Sequence, residues 1–180
     1  IEYNIFGTKT GRLTTKPNSF PIMTLDKDHR SVLKPKNDVF VELDYNAAEL
    51  RVFLGLLDIP QPKEDIHAWI GKSVFKGGLS RDVVKKKVFA WLYNPHAKDV
   101  MLEKIFNKNK ILEKYYDGRQ VNTPFKGIIE ADDHHALNYI IQSTTSDMFL
   151  RQVIEVSKIL EKTNSHMAFS IHDTFVIDLK

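Results

Sequence analysis

Apolar positions along this chain switch between two periods, and the switches mark its elements. Val39-Phe40-Val41-Glu42-Leu43 is a nearly continuous apolar run that stops at Asp44, which predicts a buried strand. Directly after it, Leu50, Phe53, Leu54 and Leu57 recur at i, i+3, i+4 and i+7, predicting an amphipathic helix. Asn46 and Glu49 stand at capping-box spacing ahead of that stripe, and Asp58-Ile59-Pro60 closes it. A second helix is predicted over 80–93, with Ser80 as N-cap and Val84, Val88 and Leu92 as its apolar row. From about Pro95 to Glu130 the periodicity fades. Lys104, Lys108, Lys110 and Lys114 lie there in a mixed, helical, solvated region. A long helix is predicted over about 131–161, with Phe149, Val153, Val156 and Leu160 as its buried stripe. Met167-Ala168-Phe169 and Phe175-Val176-Ile177 then flank the polar break from Ser170 to Thr174, predicting two short strands around a tight turn. The order of strand, helices, long helix and hairpin is that of an α+β fold.

Composition narrows the classes. A chain of 180 residues is long enough for one domain with a real core. No apolar run approaches the roughly 18 residues of a membrane span, so no membrane partner is expected. Lys9 and Arg12 are followed by no apolar h-region, which argues against a secretion signal. With no cysteine, disulfide and thiolate–metal frameworks are excluded, and a reducing compartment fits. The expected location is the cytoplasm of a bacterial cell, or of the host cell if the source is viral. A net charge of +3 says little by itself, because function follows where the charge clusters. The chain starts at Ile1 rather than Met and stops at Lys180 inside an apolar strand pattern, which reads as an internal fragment.

Three groups of residues carry candidate chemistry. Asp44 and Asp173 each stand at the end of an apolar strand piece, and each alone reads as an ordinary cap or turn aspartate. Brought together on neighbouring strands, two such carboxylates could hold a metal pair about 3.5–4 Å apart for phosphoryl transfer. Oxygen ligands without cysteine favour Mg²⁺ over Zn²⁺. Arg81, Lys85, Phe89 and Tyr93 recur every four residues, so each lies about 40° round the helix from the last. Two cations then two aromatics suit a triphosphate and a base, although such spacing also serves solvation and packing. His134, Asn138 and Gln142 form an uncharged polar row on the long helix, suited to minor-groove or sugar contacts or to a plain polar face. His67, in Asp65-Ile66-His67, could serve a helix cap or a phosphate.

Taken in order, these pieces resemble family A DNA polymerases, the bacterial DNA polymerase I family and its phage relatives. Asp44-Tyr45-Asn46-Ala47-Ala48-Glu49-Leu50-Arg51 is similar to the family's motif A, and Arg81-x-x-x-Lys85-x-x-x-Phe89-x-x-x-Tyr93 to its motif B. Ile171-His172-Asp173 resembles the motif C hairpin, and Thr10-Gly11-Arg12-Leu13-Thr14-Thr15 the TGRLSS segment before the palm. The resemblance implies a polymerase palm, an antiparallel sheet with packed helices, over 1–57 and 131–180. It implies shortened helical fingers over 58–130, with no thumb or exonuclease domain in this chain.

The implied activity is template-directed DNA synthesis on primer–template DNA from deoxynucleoside triphosphates with two Mg²⁺ ions. Asp44 and Asp173 would hold the ions with help from the Tyr45 carbonyl. Arg81, Lys85 and His67 would bind the triphosphate, Lys85 assisting catalysis, while Phe89 and Tyr93 border the base and sugar. Glu49 would exclude a ribose 2′-OH. Arg12, His172, His134, Asn138 and Gln142 would track the duplex. Departures from the family pattern are Thr174 in place of glutamate, Asn94 in place of glycine, Ala47 in place of glutamine and His134 in place of arginine. Alternative readings are a catalytically inactive nucleic-acid-binding module derived from a polymerase, and a two-metal nuclease that would leave motif B unexplained.

Overall fold

The computed structural model describes all 180 residues. In chain order the elements are β1 (Tyr3–Asn4), β2 (Thr14–Thr15), a 3-10 helix (Lys27–Val32), β3 (Val39–Asp44), α1 (Ala48–Leu56), α2 (Ile66–Ser73) and α3 (Arg81–Tyr93). There follow α4 (Val100–Glu103), α5 (Lys108–Tyr115), β4 (Gln120–Asn122), β5 (Ile128–Glu130), α6 (Ala136–Leu160), β6 (His166–Ile171) and β7 (Thr174–Leu179). The chain forms two compact units, one of Ile1–Tyr45 with Thr145–Lys180 and the other of Asn46–Thr144. The fold class is α+β, as the pattern predicts.

The first unit holds an antiparallel sheet in the order β3-β7-β6. The apolar run of β7 lies at its centre, so Phe175, Val176 and Ile177 are buried. Phe149 from α6 packs on Phe175 and Ile177, with Val153, Val156 and Leu160 half-buried beside them. Phe149 alone of the predicted stripe is fully buried. Asp178 is also buried in β7; its carboxylate accepts hydrogen bonds from the Lys36 and Asn37 amides at 2.7 and 2.9 Å, which offset its desolvation. The predicted strand Val39–Leu43 forms, but it is not buried. As the edge strand it pairs only with β7 and leaves Val39 and Leu43 48% and 42% exposed. An apolar run alone does not tell an edge strand from a central one.

In the second unit, α1 and its C-cap Leu57 bury Leu50, Phe53, Leu54 and Leu57, the predicted stripe, and Phe53 meets Trp91 and Phe106 edge-on at 5.9 and 5.8 Å. Burying side chains of this size stabilises the unit by about 1.5–3 kcal/mol each. The capping box does not form. The N-cap is Ala47, in the left-handed region at φ 53°, with no side-chain cap, and Glu49 is engaged elsewhere. The 95–130 stretch contains α4 and α5 and also the β4–β5 hairpin, whose three-residue strands are too short for periodicity to reveal. Lys108 is not simply solvated: it donates to the Trp91 carbonyl at 2.9 Å, with its ammonium 4.3 Å from the indole centroid.

Helix α6 starts at Ala136 rather than near 131. Asp132 accepts a hydrogen bond from the His135 amide through its side chain, and its carbonyl accepts one from the Ala136 amide, so a turn precedes the helix. His134 falls in that turn. The polar row therefore keeps only Asn138 and Gln142 on the helix.

Candidate active site and nucleotide face

The first unit gathers one group of candidates. Asp44, the last residue of β3, faces Thr174, the first of β7, and the Thr174 hydroxyl donates to Asp44 Oδ1 at 2.8 Å. Asp173 precedes Thr174 in the two-residue turn between β6 and β7, beside His172, whose backbone takes a φ of 54°. Strand pairing thus sets the two carboxylates at one end of the sheet, one position from direct opposition. A cleft there is lined by Arg12, Thr145, Ser146, Phe149, His172 and Asp173. The Ser146 hydroxyl donates to the Gly11 carbonyl at 2.8 Å and pins the segment before Arg12; Gly11 there takes a left-handed φ of 73°, which glycine adopts without strain. Burial lowers the Arg12 pKa from its usual value, against the charge of Asp173. Tyr45 packs against the Phe149–Phe175–Ile177 cluster, and burial raises its phenol pKa.

The donor set fits Mg²⁺. Two carboxylates and a backbone carbonyl are hard oxygen donors, and Mg²⁺ is commonly held by one or two carboxylates, with water and substrate oxygens completing its shell. No group of three or more His, Cys, Asp or Glu side chains suited to a metal occurs in the chain. An all-protein cage is therefore not what these residues build.

The second unit gathers the other group, on α3. Val84 and Val88 point into the core while Arg81 and Lys85 are exposed and Phe89 and Tyr93 half-buried, so the helix presents the graded face its spacing predicts. Ser80 occupies the N-cap position without a side-chain cap bond. The Phe89 and Tyr93 rings stack at 5.8 Å with 13° between planes, and His67 from α2 lies 5.9 Å from Phe89. The Tyr93 hydroxyl donates to the Glu49 carboxylate. Arg81 bonds Asp65 at 2.9 Å through Nη2, while the other Asp65 oxygen caps α2 by accepting from the Ala68 amide. The Arg81 hydrogen bond holds the Asp65 pKa down to about 2. His67 is 2% exposed and its Nδ1 has no hydrogen-bond partner. Burial lowers its pKa, Asp65 opposes the shift, and Arg81 and Lys85 add to it. His67 is therefore a neutral imidazole at pH 7.

Three further candidates lie in the second unit without joining that cluster. Asn138 and Gln142 are half-buried on α6, Asn138 with an unpartnered, buried Oδ1. His134 stands in the exposed turn, its ring 5.0 Å from His135 and 6.1 Å from His96. In the sequence neither Asp65 nor Ser146 stands out as a site residue, and Thr174 stands out there only as a departure from the family pattern. The cap position of Asp65 before α2 was a local signal. Its bond to Arg81, sixteen residues away, was not.

No protein-family model and no curated protein sequence matches the chain. Among solved structures it is similar to the POL domain of Pol1 from M. smegmatis in complex with DNA primer-template and dNTP. The TM-score is 0.72 at 14% identity, over 99% of this chain and 41% of that one. The fold is that of a DNA polymerase domain. The chain spans about two fifths of the length of the polymerase structure it matches. No helix of the chain is long and apolar enough to cross a membrane.

Proposed function

We propose that this chain is the palm and reduced fingers of a template-directed DNA polymerase, adding deoxynucleotides to a primer 3′-OH. The observation that carries the reading is the pairing of Asp44 with Thr174, which sets Asp44 and Asp173 at one end of a sheet in a polymerase fold. The motif order supports a family A reading, among phage-like members. The palm takes in 1–57 and 131–180, and the fingers 58–130.

Asp44 and Asp173 would hold two Mg²⁺ ions, with the Tyr45 carbonyl as a further oxygen ligand. When bound, the ions supply activation of the 3′-OH and charge stabilisation at the pyrophosphate leaving group. Arg81 and Lys85 neutralise the triphosphate, and Lys85 assists catalysis by holding the bound phosphates in place. Neutral His67 offers a hydrogen bond to the phosphates without adding charge. Phe89 and Tyr93 stack on the base and border the sugar. Glu49, held by the Tyr93 hydroxyl, occupies the space a ribose 2′-OH would need. Arg12 and His172, which line the cleft of the first unit, and Asn138, Gln142 and His134 contact the duplex.

Primer extension by the full-length gene product with Mg²⁺ and deoxynucleotides tests the reading. Asp173→Ala is expected to abolish extension, by at least about 10³-fold, and to leave duplex binding largely intact. A wild-type protein that binds primer–template but never extends it would instead be an inactive nucleic-acid-binding module.

A further inference from the structure

Asp44 is exposed, so its carboxylate has no packing to hold it in one rotamer. What restrains it is a single group. The Thr174 hydroxyl donates to Oδ1 at 2.8 Å, and Oδ2 makes no hydrogen bond or ion pair. Thr174 itself is well fixed: it is 9% exposed, and it pairs across the sheet with Asp44 on one side and Ile171 on the other. Its β-branched side chain has little χ1 freedom in a strand. A buried, rotamer-restricted hydroxyl thus grips one oxygen of a solvent-facing carboxylate.

From this geometry we infer that Thr174 is a positioning residue for metal binding, its hydroxyl turning Asp44 so that Oδ2 is the oxygen presented to a divalent cation. The inference rests on the reading of Asp44 and Asp173 as Mg²⁺ ligands. Donation from a neutral hydroxyl draws charge from Oδ1 and would leave Oδ2 the better ligand. It also adds no charge: where a carboxylate at this position would give a third anion, the site keeps two. Partners that orient metal ligands in this way typically matter by about 10- to 100-fold in metal affinity.

The test is a Mn²⁺ titration of the full-length gene product followed by electron paramagnetic resonance, Mn²⁺ standing in for Mg²⁺, on wild type, Thr174→Val, Thr174→Ser and Asp173→Ala. Thr174→Val keeps the volume and the branch and removes the hydroxyl; Thr174→Ser keeps the hydroxyl. Expected are a roughly tenfold weaker Mn²⁺ affinity for Thr174→Val and affinity near wild type for Thr174→Ser. The half-saturating Mg²⁺ concentration in primer extension should rise for Thr174→Val with rate restored at high Mg²⁺. Equal affinity of Thr174→Val and wild type overturns the inference, as does Thr174→Ser binding as weakly as Thr174→Val. If Thr174→Val does not fold, Thr174→Ala against Thr174→Ser makes the same comparison. Wild type binding no Mn²⁺, or Asp173→Ala binding as well as wild type, would mean that the metal-ligand reading has failed and the inference with it.

Discussion

Burial keeps His67 neutral, and that choice ties stability to pH. Its folded pKa lies below the usual 6.5, so the unfolded chain takes up the proton first as pH falls. The contribution of His67 is complete above about pH 6.5 and is lost on acidification toward its folded pKa. Asp65 follows the same sign lower down. Its folded pKa of about 2 lies below the unfolded value of 3.8, so its contribution is present above pH 3.8 and disappears as pH falls toward 2. Unfolding free energy from urea titrations should therefore fall between pH 7 and 5. His67→Gln should flatten that part of the profile and leave the loss below pH 4 in place. Identical profiles for the two proteins would refute the assignment. Lys85 makes a separate prediction. Exposed and pointed away from the core, it has no structural duty, so Lys85→Ala should raise KM for deoxynucleotides roughly 10- to 100-fold with a smaller change in kcat. Steady-state primer extension distinguishes this from a purely structural lysine, whose removal leaves KM unchanged.

At the level of elements, the sheet of the first unit shows how an edge is managed. The outer side of β6 meets Tyr3, whose hydroxyl donates to the Ser170 carbonyl at 2.7 Å and accepts from the Ser170 amide at 2.9 Å. One phenol thus satisfies both backbone groups of a buried position, as a neighbouring strand would. Tyr3→Phe leaves both unpaired and should cost about 1–3 kcal/mol in urea unfolding, since an unsatisfied buried group bears its full desolvation penalty. A change below about 0.5 kcal/mol would show that water replaces the phenol. On α3 the division of labour is clear: Val84, Val88, Trp91 and Leu92 hold the helix, which frees the opposite face to carry Arg81 and Lys85.

For the whole molecule, 26 Lys and Arg against 23 Asp and Glu leave only a small positive excess. Under the proposed function, long-range attraction to DNA would be correspondingly weak, and affinity would come from local phosphate contacts. Binding of duplex DNA by this chain should be weak and fall steeply with salt, by a slope near −0.9 per phosphate contact on logarithmic axes. Fluorescence anisotropy between 50 and 200 mM salt, on the order of the range where such losses show, measures the slope. Tight binding that does not respond to salt would contradict a phosphate-dominated interface.

By itself the sequence determined the elements that span several periods or end at a strong local signal. The α1 stripe, the α3 row and the hairpin around His172-Asp173 were all legible, because period and turn chemistry are properties of neighbours along the chain. It also placed Asp44 and Asp173 at strand ends and Arg81 to Tyr93 on one face. Tertiary structure decided the rest. Whether Val39–Asp44 lay at an edge, where α6 began and that 95–130 contained a hairpin depended on partners distant in sequence. So did the finest detail of the proposed metal site: Thr174 and Asp44 are 130 positions apart, and only strand pairing brings that hydroxyl to that carboxylate. A sequence specifies which groups exist, but a hydrogen bond between them needs the ladder that sets their register.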